Sequence, residues 1–253
     1  MAIDSVHKPA ASIPGLTLRQ AALTVGFAYL LNPAAYAQYS LFPKLLIPEN
    51  PARTAQNVIT HPGILGAAIL CYLFCFCTDI IVGWGLYHLL VPVNRALSLL
   101  ASLFQFIYAA MAFAALLNLV AVFDLVSNPG ELKSQTAASF LPVLDAQIQL
   151  SLNAFQSGFI FSLAVFGVHL VLIGYLIFRS RYIPRIIGLL LTINGLGWIV
   201  NTLSGYIVPH ARIPYLTITF YGELVFMLWL LIMGWKIKEP VTLIENPIEE
   251  PAR

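Results

Sequence analysis

Three side chains in this sequence can carry or exchange a proton while standing in otherwise apolar surroundings: Asp79, His169 and Glu223. Asp79 divides the uncharged runs 54–78 and 80–94, Glu223 precedes the uncharged run 224–235, and His169 lies within the run 146–178. Ionisable groups in such settings serve protons, ions or polar groups of a ligand. Three amides have the same isolation: Asn32, Gln105 and Asn194. An acid in contact with His169 would share a proton, and one held apart would be cheaper in its neutral form.

The elements that must position these groups follow from the charge distribution. Of 253 residues, 59% are apolar and 9% charged, whereas an ordinary soluble domain carries about 25% charged residues. That deficit leaves lipid as the solvent for most of the exterior. A net charge of +2, with no dense basic cluster and no aromatic–basic interleaving, disfavours nucleic acid as a partner. A crossing needs about 20 mostly apolar residues. The uncharged runs supply six, at about 19–42, 63–91, 96–124, 152–178, 185–208 and 214–236. All must be helical, because an open strand edge in lipid leaves backbone groups unpaired. The expected fold is therefore all-α, a polytopic bundle of six transmembrane helices over 19–238. A short cytoplasmic segment, 1–18, precedes it, and an acidic, proline-bearing tail, 239–253, is expected to be disordered.

Orientation follows the lysines and arginines at the ends of the spans. With both termini in the cytoplasm, Lys8, Arg19, Arg95, Arg179, Arg181, Arg185, Lys236 and Lys238 lie inside, and Lys44, Arg53, Lys133 and Arg212 outside. Arg179, Arg181 and Arg185 crowd a single turn, where topology and anionic headgroups explain them and a lipid-headgroup or phosphate site is the alternative. Ala35-Tyr36-Ala37 has the form of a signal-peptidase site, but the apolar residues continue through Leu46, further than a signal core requires, so the first span is expected to be retained. Residues 43–62, with Pro43, Pro48, Pro51 and Pro62, read as an extended, helix-free outer loop. The second outer connection, 125–151, holds an Asn128-Pro129-Gly130 turn and then a mixed segment suited to a short interfacial amphipathic helix.

Measured from the cytoplasmic ends at 1.5 Å per residue, Asn32, Asp79, Gln105, His169, Asn194 and Glu223 all fall about 14–20 Å deep. One polar group per helix at a common depth predicts a mid-membrane layer facing the bundle interior. On helix five Asn194, Trp198 and Asn201 share a face at i, i+4 and i+7. Gly195, Gly197 and Gly205 on that helix, and Gly167 and Gly174 on helix four, read as close-packing positions. Asn32-Pro33 predicts a kink in helix one at the polar layer. Cys71, Cys75 and Asp79 are spaced by four, yet one helix face supplies too few ligands for a soft metal, so no metal is assigned. There is no phosphate loop, zinc-protease helix, nucleophile elbow or CxxC.

The runs TDIIVGWGLYHLLVPVNRALSLLASLFQFIYAA, FGVHLVLIGYLIFRSRYIPRIIGLLL and GELVFMLWLLIMGWK resemble the bacterial multi-pass membrane family known as domain of unknown function 4386. Residues that match its pattern include Asp79, Tyr87, Pro92, Asn94, Gly167, His169, Gly174, Arg185, Glu223 and Trp229. The resemblance implies a six-helix integral membrane protein with no catalytic residues to carry over. Its pattern often has arginine where this chain has Gln105, which implies that Asp79 lacks that ion-pair partner and is either neutral or paired with His169 or an amide.

Three classes of function fit these residues. The first is binding, or transport, of a small molecule or ion through Asp79, His169, Asn194 and Glu223, with Asn32, Gln105, Trp198 and Asn201 around them. The second is an enzyme acting on a lipid-soluble substrate with acid and histidine as proton donor and acceptor. The third is a non-catalytic membrane partner or lipid-sensing component with a purely structural polar layer. Catalytic residues and cofactors are unassigned, the bilayer is the one firm partner, and the expected location is the cell membrane.

Overall fold

A computed structural model of the chain describes residues 16–47, 49–128, 141–207 and 221–238. The segment 1–15, the expected disordered tail, the residues after Asn128 in the predicted turn, and 214–220 of the last predicted span lie outside them. Every regular element among the described residues is helical. Four helices are long and apolar enough to cross a membrane, which makes this a multi-pass membrane protein.

The first helix, α1 (Leu18–Leu30), starts on a capping box in which Thr17 and Gln20 satisfy each other's backbone amides. It stops just before Asn32-Pro33, as the proline predicts. The chain resumes through α2 (Ala34–Tyr36), a π-helical turn at Ala37–Leu41 and α3 (Phe42–Leu45). A short α4 (Pro51–Thr60) then leads into α5 (Pro62–Leu90), α6 (Arg95–Ser127), α7 (Leu141–Arg179), α8 (Arg185–Ile207) and α9 (Tyr221–Met233), which ends in a 3₁₀ turn at Gly234–Lys236. Helices α1 and α9 have 13 residues each, short of a full crossing by themselves.

Two expectations are corrected. The loop 43–62 is not helix-free: Pro51 and Pro62 occupy first-turn positions of α4 and α5, where a missing N–H costs nothing. Asn50 caps α4 by accepting from the Arg53 amide at 2.9 Å. The mixed segment before residue 152 is not a separate interfacial helix either. It is the start of the 39-residue α7, and its apolar side, with Leu144 and Ile148 fully buried, packs where α4 presents Ala55 and Val58.

Each long helix packs on its neighbour in sequence, α5 on α6, α6 on α7, α7 on α8, and α8 on α9; α1 closes the ring between α9 and α5. The tightest seam joins α7 to α8. A Cβ on Gly167 would meet the Gly195 carbonyl oxygen at 2.5 Å, and one on Gly174 would meet the Gly188 carbonyl oxygen at 2.6 Å. Only glycine lets two backbones approach so closely. Among the described residues nothing lies within 4 Å of where a Cβ on Gly205 would stand, and it takes no part in the seam. The polarity of a soluble fold is inverted: Leu70, Leu117, Ile186 and Ile232 face outward, while Asp79, Gln105, His169 and Asn194 are buried.

Candidate functional site

The ring order places α1 between the helices that carry the two acids, α5 and α9. Its break therefore falls between Asp79 and Glu223. Pro33 cannot donate to the carbonyl of Tyr29, and the Ala34 amide donates instead to Asn32 Oδ1 at 3.0 Å. The Leu30 carbonyl thereby loses its regular helical donor. Asn32, fixed by that bond, turns its Nδ2 to Asp79 Oδ1 at 3.4 Å.

Asp79 is buried and collects donors from three helices. Besides Asn32, Tyr108 donates its hydroxyl to Oδ2 at 3.3 Å, and the Cys75 thiol, one turn earlier on α5, approaches the same oxygen at 3.6 Å. Gln105 donates Nε2 to the Asp79 backbone carbonyl at 3.2 Å. This amide occupies the space beside Gly83, where a Cβ would meet its Cγ at 2.9 Å. A neutral side chain thus stands against the Asp79 backbone.

Glu223 has a smaller nest. Asn194 donates Nδ2 to its Oε1 at 2.7 Å, and Trp198, one turn further along α8, is a second side-chain partner. Gly222 allows this approach, since a Cβ there would meet the Leu190 carbonyl oxygen at 2.9 Å. The two acids lie within electrostatic reach of each other, and Tyr29 on α1 lies within reach of both. Among the described residues neither acid is in an ion pair.

Three oxygens here are buried without a hydrogen-bond partner among the described residues: Gln105 Oε1 and Asn194 Oδ1, which can only accept, and the Tyr29 hydroxyl, which can donate or accept. The orientation of both amides is set by their nitrogens, which must face Asp79 O and Glu223 Oε1. A buried acceptor left alone costs about 1–3 kcal/mol. Two amide oxygens of the layer therefore stand without donors among the described residues.

Of the residues expected at this site, Asn32, Asp79 and Gln105 come together around one acid, and Asn194 and Trp198 around the other. His169 does not join either group. Its Nδ1 bonds the Ala101 carbonyl of α6 at 2.7 Å, and Phe166 stacks between its ring and Tyr108, with centroids 5.9 and 4.9 Å away. Asn201 is half-buried on α8, and its backbone carbonyl accepts from Ser204. Arg179, Arg181 and Arg185 are exposed at the α7–α8 turn, Arg185 lying over the Phe178 ring at 5.7 Å. Cys75 supports Asp79, while Cys71 is half-buried and Cys77 exposed. Among the described residues there is no cluster of His, Cys, Asp and Glu of the size a transition metal needs.

Tyr29 and Tyr108 are the residues that counting by depth missed. Each stands three positions from a predicted amide, Asn32 or Gln105, and so on the same helical face. An open groove of about 630 Å³ lies elsewhere, at the start of α4 and α7, lined by Glu49, Asn50, Asp145, Gln149 and Asn153 among others. None of the predicted site residues reaches it.

The sequence model of the family described as "Domain of unknown function (DUF4386)" matches residues 24–234. An uncharacterized protein of Archaeoglobus fulgidus is 35% identical over 167 residues, covering 65% of this chain and 82% of its own length. No solved structure matches the chain.

Proposed function

We propose, for a chain that belongs to the DUF4386 family, that it binds a small polar molecule or ion where α1 breaks between Asp79 and Glu223. The observation that carries this reading is the set of buried, unpartnered acceptors beside two acids that have no ion-pair partner among the described residues. A network built for packing alone needs no titratable groups, and it would be expected to close its own hydrogen bonds.

The bilayer arrangement that suits this site has six crossings. The broken run from Leu18 to Leu45 makes the first, and α9 with the residues before it makes the sixth. The lysine and arginine bias puts both termini in the cytoplasm of a cell-membrane protein, in one six-helix domain. In that orientation Arg179, Arg181 and Arg185 meet anionic headgroups. Transport is the natural extension, since broken helices at mid-membrane expose carbonyls to cargo.

An enzyme that pairs an acid with His169 is less well supported, because Phe166 stands between the imidazole and the Asp79 nest. A purely structural layer has one observation in its favour: each acid already has more than one side-chain donor or partner. Purification in mild detergent separates these readings. Mass spectrometry and an optical spectrum of the wild-type protein should find a bound species that is missing from folded Asp79→Asn and Glu223→Gln. Isosteric variants that change thermal stability and nothing else would establish the structural layer instead.

A further inference from the structure

The chemistry of the atoms around the α1 break defines what they can hold. Resting on the binding reading above, we infer that the site takes a small monovalent cation, held around the α1 break by oxygen ligands from α1, α5, α6, α8 and α9. The candidate ligands are the Asp79 and Glu223 carboxylates, Gln105 Oε1, Asn194 Oδ1, the Tyr29 hydroxyl and the Leu30 carbonyl.

Three independent observations converge. Gln105 and Asn194 are 1% and 0% exposed, and each keeps a buried oxygen without a partner while its nitrogen is committed beside an acid. Both are acceptors, so the missing partner is a donor or a cation, and an anion is excluded. Secondly, the acids lie within reach of each other's field with no described arginine or lysine bonded to either. A single positive charge beside them would offset the cost of ionising both. Thirdly, the helix between the acids is interrupted, and the interruption diverts the Ala34 amide away from the Leu30 carbonyl. Unwound carbonyls at mid-membrane are a recurrent means of coordinating sodium or protons.

The ligand set also narrows the cation. Carboxylate, amide and phenol oxygens are hard ligands, which suit alkali ions over the soft metals that cysteine selects. An ammonium ion offers the same charge with four donors. Sodium, potassium and ammonium therefore share the recognition chemistry, and choline matches their charge but is too large and has no N–H.

The test is thermal unfolding of detergent-purified full-length protein in sodium, potassium, ammonium or choline chloride at equal ionic strength, for the wild type, Asp79→Asn and Glu223→Gln. The expected result is a melting temperature that rises with at least one of the three small cations relative to choline, with the increment lost in both variants. At 100 times the dissociation constant, the stabilisation would correspond to a 100-fold shift of the unfolding equilibrium. Identical melting in all four salts, or an increment that survives in both variants, overturns the inference. Should a variant fail to fold, Tyr29→Phe replaces it and is expected to weaken the cation response. A neutral or anionic species found in the wild-type protein, without a cation response, would end the cation assignment and leave the binding site standing. No bound species and no cation response would end both.

Discussion

The α7–α8 seam and the α1–α5–α9 seam solve opposite problems in the same bundle. At α7–α8 four glycines bring backbone against backbone, and polar contacts are added by Thr192, donating to the Gly188 carbonyl at 2.9 Å, and by Thr202, donating across the seam to the Ile160 carbonyl at 3.2 Å. At α1–α5–α9 one helix is broken, the donors to the Asp79 carboxylate stand 3.3 to 3.6 Å away, and buried oxygens remain unpaired among the described residues. Lipid offers no hydrophobic drive between helices, so close backbone packing is what holds a bundle together. Polar groups that fall short of closing their own network stabilise little and are costly to bury. The contrast therefore separates a seam closed by backbone packing from one whose polar groups are left partly unpaired.

The largest effect that could break this contrast lies in the first seam. Gly174→Leu should abolish recovery of monodisperse protein by size-exclusion chromatography, because a Cβ alone would collide with Thr192 Oγ1 and meet the Gly188 carbonyl oxygen at 2.6 Å. Overpacking of this kind costs about 1–3 kcal/mol or more. Recovery at wild-type level would mean that the seam is slack.

In the second seam, Asn194→Leu removes the 2.7 Å bond to Glu223. It should lower stability by about 1–3 kcal/mol in denaturant unfolding, the cost of leaving a buried acid short of a donor. Tyr108→Phe, which deletes a longer bond to Asp79, should cost about 0.5–1.5 kcal/mol by the same measurement. A cost for Tyr108→Phe equal to that of Gly174→Leu would show that the Asp79 nest, and not the glycine seam, holds the bundle.

Gly205→Ala sharpens the comparison at its small end. Its Cβ would meet nothing within 4 Å, so it should be neutral or stabilising by up to about 1 kcal/mol, the usual gain of alanine over glycine in a helix. A loss comparable to that at Gly174 would remove the link between close approach and stability.

Much of this architecture is legible from where charges are missing. The ends of α5, α6 and α8 fall within a few residues of the uncharged runs, since lipid penalises charge at every position of a crossing. The same rule cannot see α4, whose prolines look like breakers until their first-turn placement is known. It also leaves the start of α7 undecided, because mixed polarity suits a lipid interface as well as burial of Leu144 and Ile148 towards α4. The site divides in the same way. Depth along each helix identified Asn32, Asp79, Gln105, Asn194 and Glu223, but depth carries no information on rotation about the helix axis. That is why His169, at the same depth, turns to the Ala101 carbonyl and stands apart from both acids. Tyr29 and Tyr108 went unnoticed because tyrosine is ordinary in a membrane helix, and only its three-residue offset from a buried amide marks it.

The central claim is that the two acids beside the broken α1 hold a cation. Equilibrium dialysis of the detergent-purified protein against radioactive sodium, with potassium and ammonium as competitors, tests it most directly. Saturable retention by the wild type, displaced by a competitor of the same class and absent from folded Asp79→Asn and Glu223→Gln, is the predicted result. Equal retention by wild type and both variants, or no saturable retention and no competition with any of the three ions, would contradict it.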